Sequence, residues 1–140
     1  MYESYTRQSL PPESYRELLG TALCVFNSNN AFVIENFLNE PVEDTWHQLI
    51  NKMSGKLLRH VENQFEKRNA GKVLELFEEL IEKRNRIIHS FQITDSNGQQ
   101  TLATKEKETD KQFQITEEYL FDFIKENEKL SDELYNLRGY

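Results

Sequence analysis

Leu18, Leu19, Ala22, Leu23 and Phe26 recur at the three- and four-residue spacing of a helix with one apolar face, and Val33, Ile34, Phe37 and Leu38 continue the same period. Between the two groups lies Asn27-Ser28-Asn29-Asn30, which either breaks the helix or sits on its outer side. The unbroken period favours one long helix, straight or bent, to about Leu38. Pro11-Pro12-Glu13-Ser14 suits its start, and Asn39-Glu40-Pro41 its end.

A second helix is expected from about Glu43-Asp44 to Arg68, with Trp46, Leu49, Ile50, Met53, Leu57, Val61 and Phe65 on its inner side and Asn69-Ala70-Gly71 as the following turn. A third, Lys72 to roughly Ser90, carries the clearest stripe: Val73, Leu76, Phe77, Leu80, Ile81, Ile87 and Ile88. The period then changes. Phe91, Ile93 and Leu102 flank Asp95-Ser96-Asn97-Gly98, a hairpin signal, so Gln92 to Gln114 reads as a β-hairpin or ordered excursion, partly mobile at Lys105-Glu106-Lys107-Glu108. Thr116 caps a last helix with Glu117 and Glu118 in its first turn and Leu120, Phe123, Ile124, Leu130, Leu134 and Leu137 facing inward. The pattern predicts an all-α fold: a four-helix up-and-down bundle with a β-hairpin-like excursion between the third and fourth helices.

One domain spanning residues 1–140 accommodates these elements, after a polar lead over 1–11. The start MYESYTRQSL has neither the basic opening nor the apolar run of a signal peptide, and the longest apolar run, Ala22 to Phe26, is too short to span a bilayer. A soluble cytoplasmic protein without a membrane partner is expected. Cys24, the single cysteine, falls within the first helical pattern and is expected to be a small core residue. With 24 acidic and 17 basic residues, the net charge of −7 argues against broad binding to nucleic acid. The acid is concentrated in the last helix, so a polyanion would meet the middle of the chain.

There the third helix has an arginine at the centre of its apolar stripe. An unpartnered buried guanidinium costs several kcal/mol, so Arg84 needs a carboxylate, a water-filled cleft or an anionic ligand such as phosphate. Glu35 and Glu118 are the carboxylates to consider. His89 lies about 140° further round the helix, so the two share a face only if the helix ends near His89 or if they meet across a dimer interface. Lys52, Lys56, Arg59, His60 and Lys67 form a basic strip on the second helix, either a solvated flank or a phosphate track that Lys83 and Arg86 extend. His47, His60 and His89 stand far apart and no paired Cys/His or EF-hand spacing occurs, so no metal site is expected. GxxxxGK, GxGxxG and GxSxG are absent from the sequence.

Arg84-Asn85-Arg86-Ile87-Ile88-His89, late on the third helix of four, resembles the Arg-x(4–6)-His signature of HEPN domains (higher eukaryotes and prokaryotes nucleotide-binding), in which a polar residue often follows the arginine, as Asn85 does. The resemblance covers nearly the whole chain in its helical order. It implies an all-α homodimer whose two motif helices line one cleft, and a metal-independent endoribonuclease without cofactor, acting as a toxin or antiviral defence effector. Arg84 would then hold phosphate, His89 transfer protons and Asn85 orient the substrate, with RNA as substrate and an antitoxin or defence-system protein as a further partner. Other members are non-catalytic dimeric modules that bind a protein or a nucleotide. One toxin branch carries a tyrosine two residues after the histidine. This chain has Phe91 there, with no hydroxyl for nucleotide transfer.

Overall fold

A computed structural model describes residues 1–139. Its element order is a 3-10 turn at Glu3–Tyr5, α1 (Glu13–Leu38), α2 (Trp46–Ile50), α3 (Ser54–Lys67), α4 (Gly71–Ile88), β1 (Phe91–Thr94), β2 (Gln100–Lys105), β3 (Gln112–Ile115) and α5 (Glu117–Arg138). The chain is predominantly helical, but it is not an all-α four-helix bundle: among the described residues five helices accompany a three-stranded antiparallel sheet of order β1-β2-β3. No helix among the described residues is long and apolar enough to cross a membrane.

The polar patch of α1 does not interrupt the helix. Asn27 and Ser28 are exposed, whereas Asn29 is buried and donates through Nδ2 to both the main-chain oxygen and Oδ1 of Asn127 on α5, at 2.8 and 3.0 Å. Ser131 Oγ donates to Asn29 Oδ1 at 2.6 Å. A polar group that looked external is thus satisfied internally, across the α1–α5 interface. Cys24, expected in the core, is exposed. Two residues before Phe26 on a helix is a rotation of about 200°, which carries it from the buried face to the outside.

The expected second helix is divided. A capping box at Thr45 and Gln48 starts α2, and Asn51-Lys52-Met53 separates it from α3, where Ser54 Oγ donates to Asn30 Oδ1 of α1 at 2.8 Å. Asn, Ser and Gly are poor helix formers, and the Ser54 hydroxyl does better by bonding to the neighbouring helix. The division turns part of the expected inner side outward: Trp46, Ile50 and Met53 are exposed, while Leu49, Leu57, Val61 and Phe65 are buried and Leu58 joins them.

On α4, Val73, Leu76, Phe77, Leu80, Ile81 and Ile87 are buried as their spacing predicts, but Ile88 and Phe91 lie exposed where the stripe runs past the core. At the centre, Phe26 of α1 stacks on Phe77 of α4 and Phe123 of α5, with ring centroids 6.2 and 6.1 Å apart. Thr116 caps α5 by accepting from Tyr119 N at 3.0 Å, and Leu120, Phe123, Leu130 and Leu134 fill the core.

Between α4 and α5 the chain forms a meander rather than a lone hairpin. Asp95 Oδ1 accepts from the amides of Asn97 and Gln99, each at 2.9 Å, and Gly98 takes φ +80°, which closes the first turn as the Asp-Ser-Asn-Gly signal predicts. β3 then pairs with β2, Ile115 opposite Leu102 and Gln112 opposite Lys105. Tyr15 Oη donates to the Ile115 carbonyl at 2.5 Å, fixing the start of α1 to the end of the sheet. β2 buries Thr101 and Ala103 on one face and Thr104 on the other.

Candidate functional site

Arg84 lies on the side of α4 that faces α1, its guanidinium carbon 4.9 Å from the centre of the Phe26 ring. Its Nε is buried and without a hydrogen-bond partner, and among the described residues the guanidinium forms no ion pair. Neither suggested carboxylate serves it: Glu35 faces Arg138 at 3.6 Å, and Glu118 is exposed on the first turn of α5. Burial pushes the Arg84 pKa down, with no neighbouring acid to offset it. Arg84 is thus a half-buried planar cation held against a ring, with no carboxylate beside it among the described residues.

His89 occupies the C-cap of α4, with φ −94° and ψ 26° outside the helical range, and its amide bonds back to the carbonyls of Asn85 and Ile87. The helix therefore ends where the sequence required it to end for the two groups to approach. Within one chain His89 nevertheless opens on a cavity that Arg84 does not line. His89 is exposed on a cavity of about 450 Å³ bounded by the end of α4 and the β2–β3 turn. Asn85, half-buried, lines a groove of about 560 Å³ between α3, α4 and the same turn. Glu106 and Lys107 line both, so the turn forms the ridge between Asn85 and His89.

The basic strip is largely neutralised. His60 meets Asp44 at 2.8 Å, Arg59 meets Glu62 at 3.6 Å, and Lys83 Nζ lies 2.6 Å from both carboxylate oxygens of Glu126. Arg86 approaches Glu82 at 3.2 Å and donates through Nη1 to the Lys105 carbonyl at 2.7 Å. Only Lys52, Lys56 and Lys67 of the strip have no ion pair among the described residues; Lys52 sits in the α2–α3 break, and Lys56 and Lys67 stand at opposite ends of α3.

What the sequence reading missed is the contribution of the sheet. Lys105 and Lys107, in a stretch read as a mobile excursion, reach the cavity of His89. Their signal was the pairing of β2 with β3, which depends on Gln112–Ile115, a short segment carrying only two apolar residues. No group of three or more His, Cys, Asp or Glu among the described residues is placed to hold a metal ion. Compared with models of known families, with curated proteins and with solved structures, the chain matches none.

Proposed function

We propose that this chain is a metal-independent endoribonuclease of the HEPN type, a toxin or defence effector that works as a homodimer with Arg84 and His89 at its site. The observation that carries the reading is the state of Arg84: half-buried, set against Phe26 and without a carboxylate among the described residues. A structural arginine at the centre of an apolar stripe would be expected to have found an acid.

The chemistry asks for little beyond these groups, because RNA carries its own nucleophile. His89, exposed on its cavity, takes the proton from the 2′-hydroxyl as general base while that oxygen attacks phosphorus. Arg84 stabilises the charge that develops on the phosphorane, and Asn85 orients the substrate. The P–O5′ bond then breaks and the leaving oxygen takes up a proton, leaving a 2′,3′-cyclic phosphate and a 5′-hydroxyl. Since His89 of one chain opens on a cavity that Arg84 does not line, a second copy is needed to bring an arginine to a histidine. Exposed Ile88 and Phe91, beside the motif, support an apolar contact there.

A second reading draws on the neutralised strip. With His60, Arg59, Lys83 and Arg86 each facing an acid, the surface also suits a non-catalytic dimeric module that binds a protein partner or a nucleotide. Cleavage of a mixed RNA pool in EDTA separates the two, provided wild type, Arg84→Ala and His89→Ala are compared with their oligomeric states measured alongside.

A further inference from the structure

In the cavity beside His89 the end of the motif helix and the β2–β3 turn bring basic groups together. Arg86, His89, Lys105 and Lys107 line it, against Glu106 and Asp110. Lys105 and Lys107 have no ion pair among the described residues, unlike most of the cations predicted from sequence. Thr104, also on the lining, is fully buried, and its hydroxyl has no hydrogen-bond partner. A buried hydroxyl without a partner is costly unless something supplies one.

We propose that this cavity is a phosphate subsite, in which Lys105 and Lys107 hold a backbone phosphate of single-stranded RNA beside His89 and the Thr104 hydroxyl donates to it. The proposal rests on the ribonuclease reading and extends it by giving the sheet a role. In a chain of net charge −7, the RNA backbone needs a local positive potential near the reacting bond. Lys105 at the end of β2 and Lys107 in the β2–β3 turn, both beside the proton-transfer group, supply it. Arg86 acts as a positioning residue: its hydrogen bond to the Lys105 carbonyl fixes the end of β2 against α4, and with it the direction in which Lys105 and Lys107 leave the strand.

The opposing acids set a limit on the size of the effect. Glu106 and Asp110 occupy the same rim, and Glu106 accepts from Thr109 Oγ1 at 2.6 Å, so its carboxylate is engaged within the turn. The subsite therefore suits one phosphate rather than a long polyanion track.

The test measures binding and cleavage separately on the full chain. Binding is read by fluorescence anisotropy with a labelled 2′-O-methyl oligonucleotide, which has no nucleophile and cannot be cut. Cleavage is read as KM and kcat on the matching RNA. The Lys105→Glu/Lys107→Glu double variant is expected to weaken binding by at least about tenfold and to reduce the salt slope by about two. KM should rise with kcat within a few-fold. Thr104→Val, which keeps the side-chain shape, is expected to weaken binding a few-fold. Lys72→Glu at the far end of α4 is the charge control and should change neither reading by more than about twofold. Equal binding by the double variant and the Lys72 control would overturn the proposal, as would a wild type that does not bind the oligonucleotide. Binding that depends on Lys105 and Lys107 in a wild type that cuts no RNA would keep the subsite and remove the ribonuclease reading.

Discussion

The guanidinium of Arg84 rests 4.9 Å from the centre of the Phe26 ring, and Phe26 stacks in turn on Phe77 and Phe123, so a charge sits on the aromatic centre of the fold. Stacking on the ring recovers part of what desolvation takes away, about 0.5–2 kcal/mol for such contacts. The remainder is an expense that stability alone would not retain.

Replacing Arg84 by Met is therefore expected to stabilise the protein by about 1 kcal/mol while abolishing activity, the usual relation between a strained site and its function. Chemical denaturation reports the first and RNA cleavage the second. Because burial lowers the Arg84 pKa, the charged form is disfavoured in the folded state. That penalty is complete wherever the side chain is protonated, which is the whole range in which the protein can be handled, so the gain should not vary with pH. A variant that is less stable than wild type would mean that Arg84 is a structural cation.

The buried bridge between α1 and α5 gives an independent check on the fold. Asn29→Ala leaves groups of Asn127 and Ser131 without their partner and is expected to cost about 2 kcal/mol, or roughly 5–10 °C in Tm for a domain of this size. Asn29→Ala and Ser131→Ala should be strongly non-additive, since both remove the same hydrogen bond. Additive losses would count against the network.

Tyrosine ionisation sets the alkaline limit. The Tyr119 hydroxyl is pushed up to about 12, first by burial and then by Glu126 and Glu82, and burial also raises Tyr15. A phenol whose folded pKa lies above the unfolded value contributes stability that is complete below the unfolded pKa and is lost as pH rises through the folded one. Stability should thus fall between about pH 10 and 12, with Tyr119→Phe flattening the fall. Denaturation at a series of alkaline pH values checks this, and an unchanged slope in the variant would contradict it.

Arg86 holds the β2–β3 turn to α4 through the Lys105 carbonyl. Arg86→Ala is expected to speed amide exchange over 105–111 by about tenfold or more while leaving the amides of α1 and α5 unchanged. Acceleration spread over the whole chain would show general destabilisation instead.

The residues that made the fold legible were those whose periodicity coincided with burial. Val73 to Ile81 and Leu120 to Leu134 follow a 3.6-residue period and fill the core. Cys24 was misread in its phase on α1, about 200° from Phe26. Asn29 was misread because whether a polar group is buried depends on a partner from another helix, and a chain read in one dimension does not display that partner. The division of α2 from α3 follows from the same cause, because the Ser54 hydroxyl turns to Asn30. For the site, the anomaly of Arg84 was visible in sequence, and its lack of a carboxylate required the structure. Lys105 was hidden because its position depends on strand pairing with Gln112, in a segment that carries almost no pattern of its own, and Lys107 because it lies in the turn that this pairing closes.

Most directly at stake is whether Arg84 and His89 act together on RNA. The measurement is cleavage of a mixed RNA pool in EDTA by wild type, Arg84→Ala and His89→Ala, with light scattering after size exclusion on each. The account predicts dimers throughout, cutting by the wild type alone and 2′,3′-cyclic phosphate ends. A folded, dimeric wild type that leaves every RNA intact, or a His89→Ala variant that cuts as fast as wild type, would contradict it.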